Sequence, residues 1–394
     1  MNTSFDRMWA DLEPIGRDGR TGGYRRFAWT AEDAKLREWF AGEAAARGLT
    51  MTLDRAGNQW AWQGDPDESP GVVVGSHLDS VPDGGAFDGP LGVVSAFAAL
   101  DALRDKGFTP RLPLGVVNFG DEEGARFGVA CAGSRLISGG LSGDRARGLT
   151  DADGVTMAEA MRRAGRDPAW IGTDNDTLRR VASFVELHVE QGRHLAGTGR
   201  PVGVASAIRP HGRWRIDLPG EANHAGTTAL VDRHDAMLAA AQVVLAARAA
   251  AERHDALTTC GKLHLEPNGI NAIPSHASVW LDVRAPTATQ VRAAVTDVGA
   301  VVLALGGTLA EESWSDAASF PDAARIAAVL DGAPVIDTGA GHDAGILAAA
   351  GIPAAMLFVR NRTGLSHSPA EHAERDDCLA GVAALATVIE ELAG

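Results

Sequence analysis

Three short, mostly apolar segments, the first a β-branched run, stop at polar, glycine-rich turns, and that pattern restricts the chain to few architectures. Val72-Val73-Val74 runs into Gly75-Ser76-His77-Leu78-Asp79. Residues 112–119 form a second run, which stops at Gly120-Asp121-Glu122-Glu123-Gly124. Residues 184–189 form a third, ending at His188-Val189-Glu190-Gln191-Gly192. Apolar runs without polar alternation are what strands buried on both faces require, as in a parallel sheet covered by helices. An alanine-rich stretch over 91–103 reads as a helix between the first two runs. The expected fold class is therefore α/β, a mostly parallel sheet with helices on both faces. Open sheets of this kind carry their sites at the carboxyl ends of the strands. All three polar groups fall there.

The pattern changes near 206. Trp214-Arg215-Ile216-Asp217-Leu218 alternates as a half-exposed antiparallel strand does, and residues 279–284 alternate again. Helices are expected over 236–251 and 290–304. This reads as a smaller α+β unit, 206–318, inserted into a catalytic domain made of 1–205 and 319–394. A chain of 394 residues is longer than one core usually organises, which agrees with two domains. The first domain resumes with a helix over 322–330, the Gly339-Ala340-Gly341-His342-Asp343 loop and a strand over 354–359. Ser368-Pro369-Ala370-Glu371 reads as a capping box that opens the terminal helix.

Charge and cysteine usage exclude several classes. The formal net charge of −15 argues against nucleic acid and anionic membrane as partners. The longest apolar stretch, 238–251, is interrupted by Gln242 and Arg248 and is too short to span a bilayer. The first 16 residues carry acids and no apolar signal core, so no secretion signal is expected. Cys131, Cys260 and Cys378 are far apart without a CxxC, as in a reduced, cytoplasmic protein.

His77, Asp88, Glu123, His188 and His367 are five potential metal ligands, each at a strand end or in a loop. Glu122 sits beside one of them and is left free. A mixed nitrogen and oxygen set suits a pair of divalent ions better than a structural zinc, which usually recruits cysteine. Residues two apart in an extended segment share a face, so Asp79 is placed to hold the His77 imidazole. Two ions with a spare carboxylate form the kit for activating water against a polar carbonyl.

Six segments then carry a resemblance: Gly75-Ser76-His77-Leu78-Asp79-Ser80, Phe87-Asp88-Gly89, Asp121-Glu122-Glu123-Gly124-Ala125-Arg126-Phe127, Glu186-Leu187-His188-Val189-Glu190-Gln191-Gly192, Asn223-His224-Ala225-Gly226-Thr227-Thr228 and Ser366-His367-Ser368-Pro369. In this order, and over nearly the whole chain, they resemble the amidohydrolase branch of the dinuclear metallo-aminopeptidase-related family. That branch contains N-carbamoyl-L-amino acid hydrolases, allantoate and ureidoglycolate amidohydrolases, and β-ureidopropionases. The resemblance implies two divalent ions per subunit (zinc, manganese, cobalt or nickel). His77 and Glu123 would belong to opposite ions, Asp88 would bridge, and His188 and His367 would complete the shells. It makes Glu122 the general base. It makes the inserted unit a lid that carries a homodimer contact, with His224 reaching across the dimer to the scissile carbonyl. Gln191, Asn271, Arg284 and the Gly341 backbone would hold a small carboxylate-bearing substrate. The segment Pro210-His211-Gly212-Arg213 departs from the Gln-Arg-Arg that allantoate-type members often carry there, and Arg360 adds a charge before His367. The expected reaction is hydrolysis of a linear amide, an N-carbamoyl amino acid or an allantoate-like molecule. N-acyl amino acids and dipeptide-like amides are the alternative on the same centre. A non-catalytic binding protein is disfavoured by the intact set of ligands and base.

Overall fold

The computed structural model describes residues 3–394; the first two residues of the N-terminal segment read above lie outside them. The strands, in chain order, are β1 (Thr50–Leu53), β2 (Gln59–Gln63), β3 (Gly71–His77), β4 (Leu114–Phe119), β5 (Val181–Val189), β6 (Val202–Ile208), β7 (His211–Pro219), β8 (Asn223–His224), β9 (Leu257–Glu266), β10 (Ala272–Ile273), β11 (His276–Arg284), β12 (Thr308–Ser315), β13 (Ala318–Ser319), β14 (Val335–Thr338) and β15 (Ala354–Val359). Two compact units result. One holds the described chain up to Ala207 together with Ser319–Gly394, the other Ile208–Ala318.

In the first unit, the sheet order is β1-β2-β4-β3-β5-β15-β6-β13, with β14 beside β6. The pairs β3–β4, β3–β5 and β5–β15 are parallel, and β2 and β6 flank them in antiparallel sense. Every residue of β3 and β4 is buried. Val72, Val74, Val116, Val185 and Leu187 enter one core with the helices Thr3–Leu12, Ala31–Ala46, Pro90–Asp105 and Arg375–Ala393. The alternate side chains, among them Phe119 and Phe184 with ring centroids 5.7 Å apart, face the other way. There the short helices Asn175–Arg179 and Asp343–Ala349 lie against the sheet. The class is thus α/β with helices on both faces, and the apolar runs are apolar because neither face meets water. Burying a valine or leucine fully contributes about 1.5–3 kcal/mol, so each strand is strongly committed to the centre of the sheet.

The parallel register brings β3, β4 and β5 to one edge: His77 lies opposite Phe119, and Gly75 opposite Glu186. The loops that leave that edge carry the candidate ligands. The terminal helix begins at Arg375, and its preceding residue makes no side-chain cap. The expected capping box is therefore absent as such: the Glu371 carboxylate is engaged elsewhere, as described below.

The second unit has the sheet order β12-β7-β11-β9, antiparallel throughout. Trp214, Ile216 and Leu218 point to a core closed by the helices Ala236–His254 and Ala288–Ala304. β9 is an edge strand, and β8 pairs with β10 in a small ladder. Leu238 (60% exposed) and Leu245 (70%) leave an apolar stripe on the helix Ala236–His254. Among the described residues no helix is long and apolar enough to cross a membrane.

Candidate active site

The ends of β3 and β5 supply two fully buried histidines, His77 and His188. His77 Nδ1 lies 3.2 Å from the Asp79 carbonyl oxygen, which turns Nε2 toward the Asp88 loop. His188 Nδ1 is 2.9 Å from the Val189 carbonyl, and its Nε2 is 3.1 Å from Asp88 Oδ1. The other Asp88 oxygen, Oδ2, is 3.3 Å from His367 Nε2, which in turn lies 3.6 Å from Glu123 Oε2. Two triads result, His77–Asp88–His188 and Asp88–Glu123–His367, each with its ligand atoms within 4.8 Å of one another. Asp88 belongs to both. The loop permits this at Gly89, where φ is +86° and a Cβ would fall 2.4 Å from His77 Cε1.

Asp79 stands beside His77, with Oδ1 3.4 Å from Nδ1. Its carboxylate also accepts the backbone N–H groups of Glu122 at 3.1 Å and Glu123 at 3.0 Å. It therefore holds the loop that presents both glutamates. Gln191 Nε2 donates to Asp88 Oδ2 at 2.9 Å and lies 3.2 Å from Ser366 Oγ. Gly341 lies in the loop before the helix Asp343–Ala349.

The charge balance of this cluster calls for cations. Asp79, Asp88, Asp121, Glu122, Glu186, Asp343 and Glu371 are all buried around it. A buried carboxylate is stable when it is paired, bound to metal or protonated. Each triad also contains a buried polar atom without a hydrogen bond, His77 Nε2 in one and Glu123 Oε1 in the other. These donors, their spacing and their hard nitrogen and oxygen chemistry fit divalent ions. Burial pushes Glu123 and Asp343 well above the usual carboxylate range, and pushes Glu122 up to about 7. His367 rises to about 8, chiefly through its bond to Asp88. Glu122 belongs to neither triad. Its Oε2 is 3.7 Å from His77 Nε2.

The sequence from 73 to 391 matches the peptidase family M20/M25/M40. This chain belongs to that family. Among its relatives, an N-carbamoyl-L-amino acid amidohydrolase of Geobacillus stearothermophilus is 36% identical over 98% of both chains. The allantoate amidohydrolase of Escherichia coli K12 is 31% identical over 97% of this chain and 96% of its own. A crystal structure of AtUAH in complex with (S)-hydroxyglycine superposes with a TM-score of 0.90 at 26% identity, over 100% of this chain and 97% of that one. The chain is thus an M20-family hydrolase of the amidohydrolase branch, acting on carbon–nitrogen bonds other than peptide bonds.

Within this M20-family chain, the structure adds residues that short-range pattern reading misses. Glu371 accepts the backbone N–H groups of Phe87 at 3.1 Å and Asp88 at 2.9 Å, and the Ser366 hydroxyl at 2.9 Å. It fastens the Asp88 loop to the His367 segment. Burial, with Asp88 nearby, pushes it up to about 7. Glu186, two residues before His188, accepts Ser76 Oγ at 2.7 Å and the Ala344 N–H at 2.9 Å, tying β3 and the Asp343–Ala349 helix to β5. The His342 ring packs 4.4 Å from that of His188, centroid to centroid. Arg360 is buried in a two-point ion pair with Asp377 at 2.9 and 2.8 Å, so its charge is neutralised inside the fold. Glu186, His342 and Arg360 lie in segments already singled out in sequence, though without these partners; Glu371 read only as part of a helix cap, because the Phe87 and Asp88 N–H groups it accepts are 284 and 283 positions away.

The second unit holds the other candidates. His224 on β8 is exposed and pairs in register with Ala272. The Asn271 carbonyl accepts the Ala225 N–H at 3.1 Å, so Asn271 and His224 lie together. His224 Nδ1 accepts the Gly226 N–H at 3.0 Å. Arg233 braces this loop through the carbonyls of Thr228 at 3.0 Å and Ala225 at 2.6 Å. Arg284 ends β11 opposite His211 and bonds Asp282 at 2.8 and 3.2 Å.

Proposed function

We propose that the chain is a dinuclear metal-dependent amidohydrolase that cleaves the ureido group of an N-carbamoyl amino acid or an allantoate-like carboxylate. The products are ammonia, carbon dioxide and the free amine, with one water consumed. The observation that carries this reading is the pair of triads sharing Asp88, with Glu122 outside both. His77, Asp88 and His188 would hold one ion, and Asp88, Glu123 and His367 the other. Zinc, manganese, cobalt or nickel, when bound, would polarise the carbonyl and acidify water.

The remaining chemistry belongs to side chains. Glu122 takes a proton from the attacking water through Oε2 and returns it to the leaving nitrogen. His224 steadies the oxygen on which charge develops. Because its Nδ1 accepts the Gly226 N–H, the neutral ring carries its proton on Nε2 and can donate it. Gln191, Asn271, Arg284 and the Gly341 backbone hold the substrate carboxylate, for which Arg284 would exchange its two bonds to Asp282. The named activities of the Geobacillus and Escherichia relatives support the ureido reading, and the (S)-hydroxyglycine bound by AtUAH is itself a small carboxylate. The working state is a cytoplasmic homodimer whose second unit delivers His224 to the partner's centre. The apolar stripe, the open β9 edge and the three free cysteines support that state.

The test is a substrate panel on chelated and reloaded enzyme: N-carbamoyl, N-formyl and N-acyl amino acids, dipeptides and allantoate. Chelation should abolish turnover, one of the four ions should restore it, and ureido substrates should lead. Full turnover by metal-stripped protein would refute the metal role. A preference for N-acyl amino acids or dipeptides would transfer the same centre to that chemistry.

A further inference from the structure

We infer that Cys131 is a positioning residue for Glu122: its thiol holds one carboxylate oxygen so that the other faces the ligand cluster. The inference rests on Glu122 being the proton acceptor proposed above. Cys131 Sγ donates to Glu122 Oε1 at 3.1 Å, while Oε2 lies 3.7 Å from His77 Nε2. Both residues are buried, Cys131 at 2% and Glu122 at 6% exposure. Among the described residues, the thiol supplies the one side-chain hydrogen bond to the Glu122 carboxylate. The two oxygens are thus differentiated by a single neighbour.

The backbone fixes where that thiol sits. The Cys131 N–H donates to the Glu122 carbonyl, the Ala132 N–H to that of Asp121 at 3.0 Å, and the Gly133 N–H to that of Gly120 at 3.0 Å. Three successive N–H groups therefore grip Gly120, Asp121 and Glu122, the last the first of the glutamate pair. Cys131 itself is left-handed, with φ 53°, immediately before the helix Ala132–Ser138. A non-glycine residue held there is strained, and persists where its surroundings over-determine it. The contact is closed at Gly133, where a Cβ would fall 2.2 Å from Asn58 Oδ1 and 2.7 Å from the Gly120 carbonyl oxygen. Helix start and glutamate loop cannot slide apart without breaking this ladder.

The chemistry of a thiol suits the task. A proton acceptor must be held in one rotamer, yet a strong donor bound to its carboxylate would stabilise the charged form and weaken it as a base. A thiol is a weak, neutral donor. It selects the orientation and leaves most of the basicity in place. The competing role is that of a small apolar core residue, which buried cysteines often fill. That role needs no S–H donor and is indifferent to which end of Glu122 lies nearby.

The experiment uses metal-loaded enzyme and the ureido substrate it turns over fastest. Cys131→Ala should lower kcat about tenfold, the loss of one hydrogen bond to a charged group. KM and bound-metal content should stay unchanged. Cys131→Ser, which keeps a donor, should recover most of kcat. Ala and Ser variants with the same kcat would overturn the inference. Infrared difference spectra of native and Cys131→Ser protein isolate the Cys131 S–H stretch without relying on the Ala variant folding. That band should lie below the S–H bands of the other two cysteines, and rise when Glu122→Gln removes the charged acceptor. A band indifferent to Glu122→Gln would also overturn it. If Glu122→Gln is fully active, the base assignment fails and takes this inference with it. If Glu122→Gln is inactive while Cys131→Ala matches the native enzyme, this inference alone fails.

Discussion

His188 and His224 serve the same proposed reaction and are held in opposite ways. His188 ends a central strand, is 0% exposed, and is locked by the Val189 carbonyl, the His342 ring and Asp88. His224 lies on a two-residue strand, is exposed, and depends on its own loop, braced by Arg233, for its orientation. The first unit spends its packing on a rigid array of charges that would be unstable without mutual contacts. The second offers groups and apolar surface that remain incomplete until something covers them. In the proposed enzyme, preorganisation would belong to the part that holds ions, and adaptability to the part that meets substrate and a second subunit.

The sharpest way to break this comparison is at Glu122. Glu122→Gln should reduce kcat by roughly 10²–10⁴-fold, the usual contribution of general acid–base catalysis, and leave metal content intact. Loss of metal by elemental analysis would instead show that Glu122 and Glu123 have exchanged roles.

His224→Ala tests the adaptable side. A reduction in kcat of about 10²–10³-fold is expected, as for removal of one oxyanion donor, again with full metal content. Mixing this variant with Glu122→Gln under conditions of proven subunit exchange should regenerate activity, because a mixed dimer contains one site with both residues. Exchange without recovery would place His224 in its own subunit's site, or outside catalysis.

Glu371→Ala should act through the rigid unit alone. It removes the acceptor for the Phe87 and Asp88 N–H groups. Metal affinity should fall by about 10–100-fold, the range seen when residues behind a ligand are lost, and activity should return at high metal concentration. An unchanged affinity in a chelator competition would show that the Asp88 loop holds its shape unaided.

The smallest effect on the metal centre should come from the apolar stripe. Leu238→Glu with Leu245→Glu should shift the dimer toward monomer in sedimentation, each leucine forfeiting about 1.5–3 kcal/mol of burial, while bound metal stays at the native level. A dimer that tolerates both charges would move the interface to another face, the β9 edge being the next to test.

Much of the first unit was legible because burial on both faces leaves an unmistakable trace. The runs that became β3, β4 and β5 are mostly apolar and buried, broken by Asn118, Glu186 and the ligand histidines, and the three ligand groups sit where those runs end. Residues 354–359 were read as a strand and form β15 with the same bounds. β9 and β12 of the second unit went unread, but β7 and β11 were readable from their alternation and its two helices were legible near their observed bounds. The hairpin β1–β2 and the short helices between 132 and 179 were not, since brief elements carry too few residues to show a period.

What stayed hidden is what depends on distance along the chain. Ser368-Pro369-Ala370-Glu371 has the local form of a helix cap, yet Glu371 serves Phe87 and Asp88 because folding offers two backbone N–H groups that need a buried acceptor. Arg360 looked like a free charge and is consumed by Asp377. The thiol of Cys131 meets Glu122 only because a left-handed residue turns the chain back on itself. Sequence by itself determined the α/β class, the break near 206 and the residue types of the candidate ligand set, since hydrophobic burial and ligand chemistry are properties of single residues and their neighbours. The bridge at Asp88 and the free Glu122 were expected and agree with the two triads; tertiary structure alone decided which buried groups hold each one in place. Those are statements about atoms brought within a few ångströms, and only the closed fold supplies them.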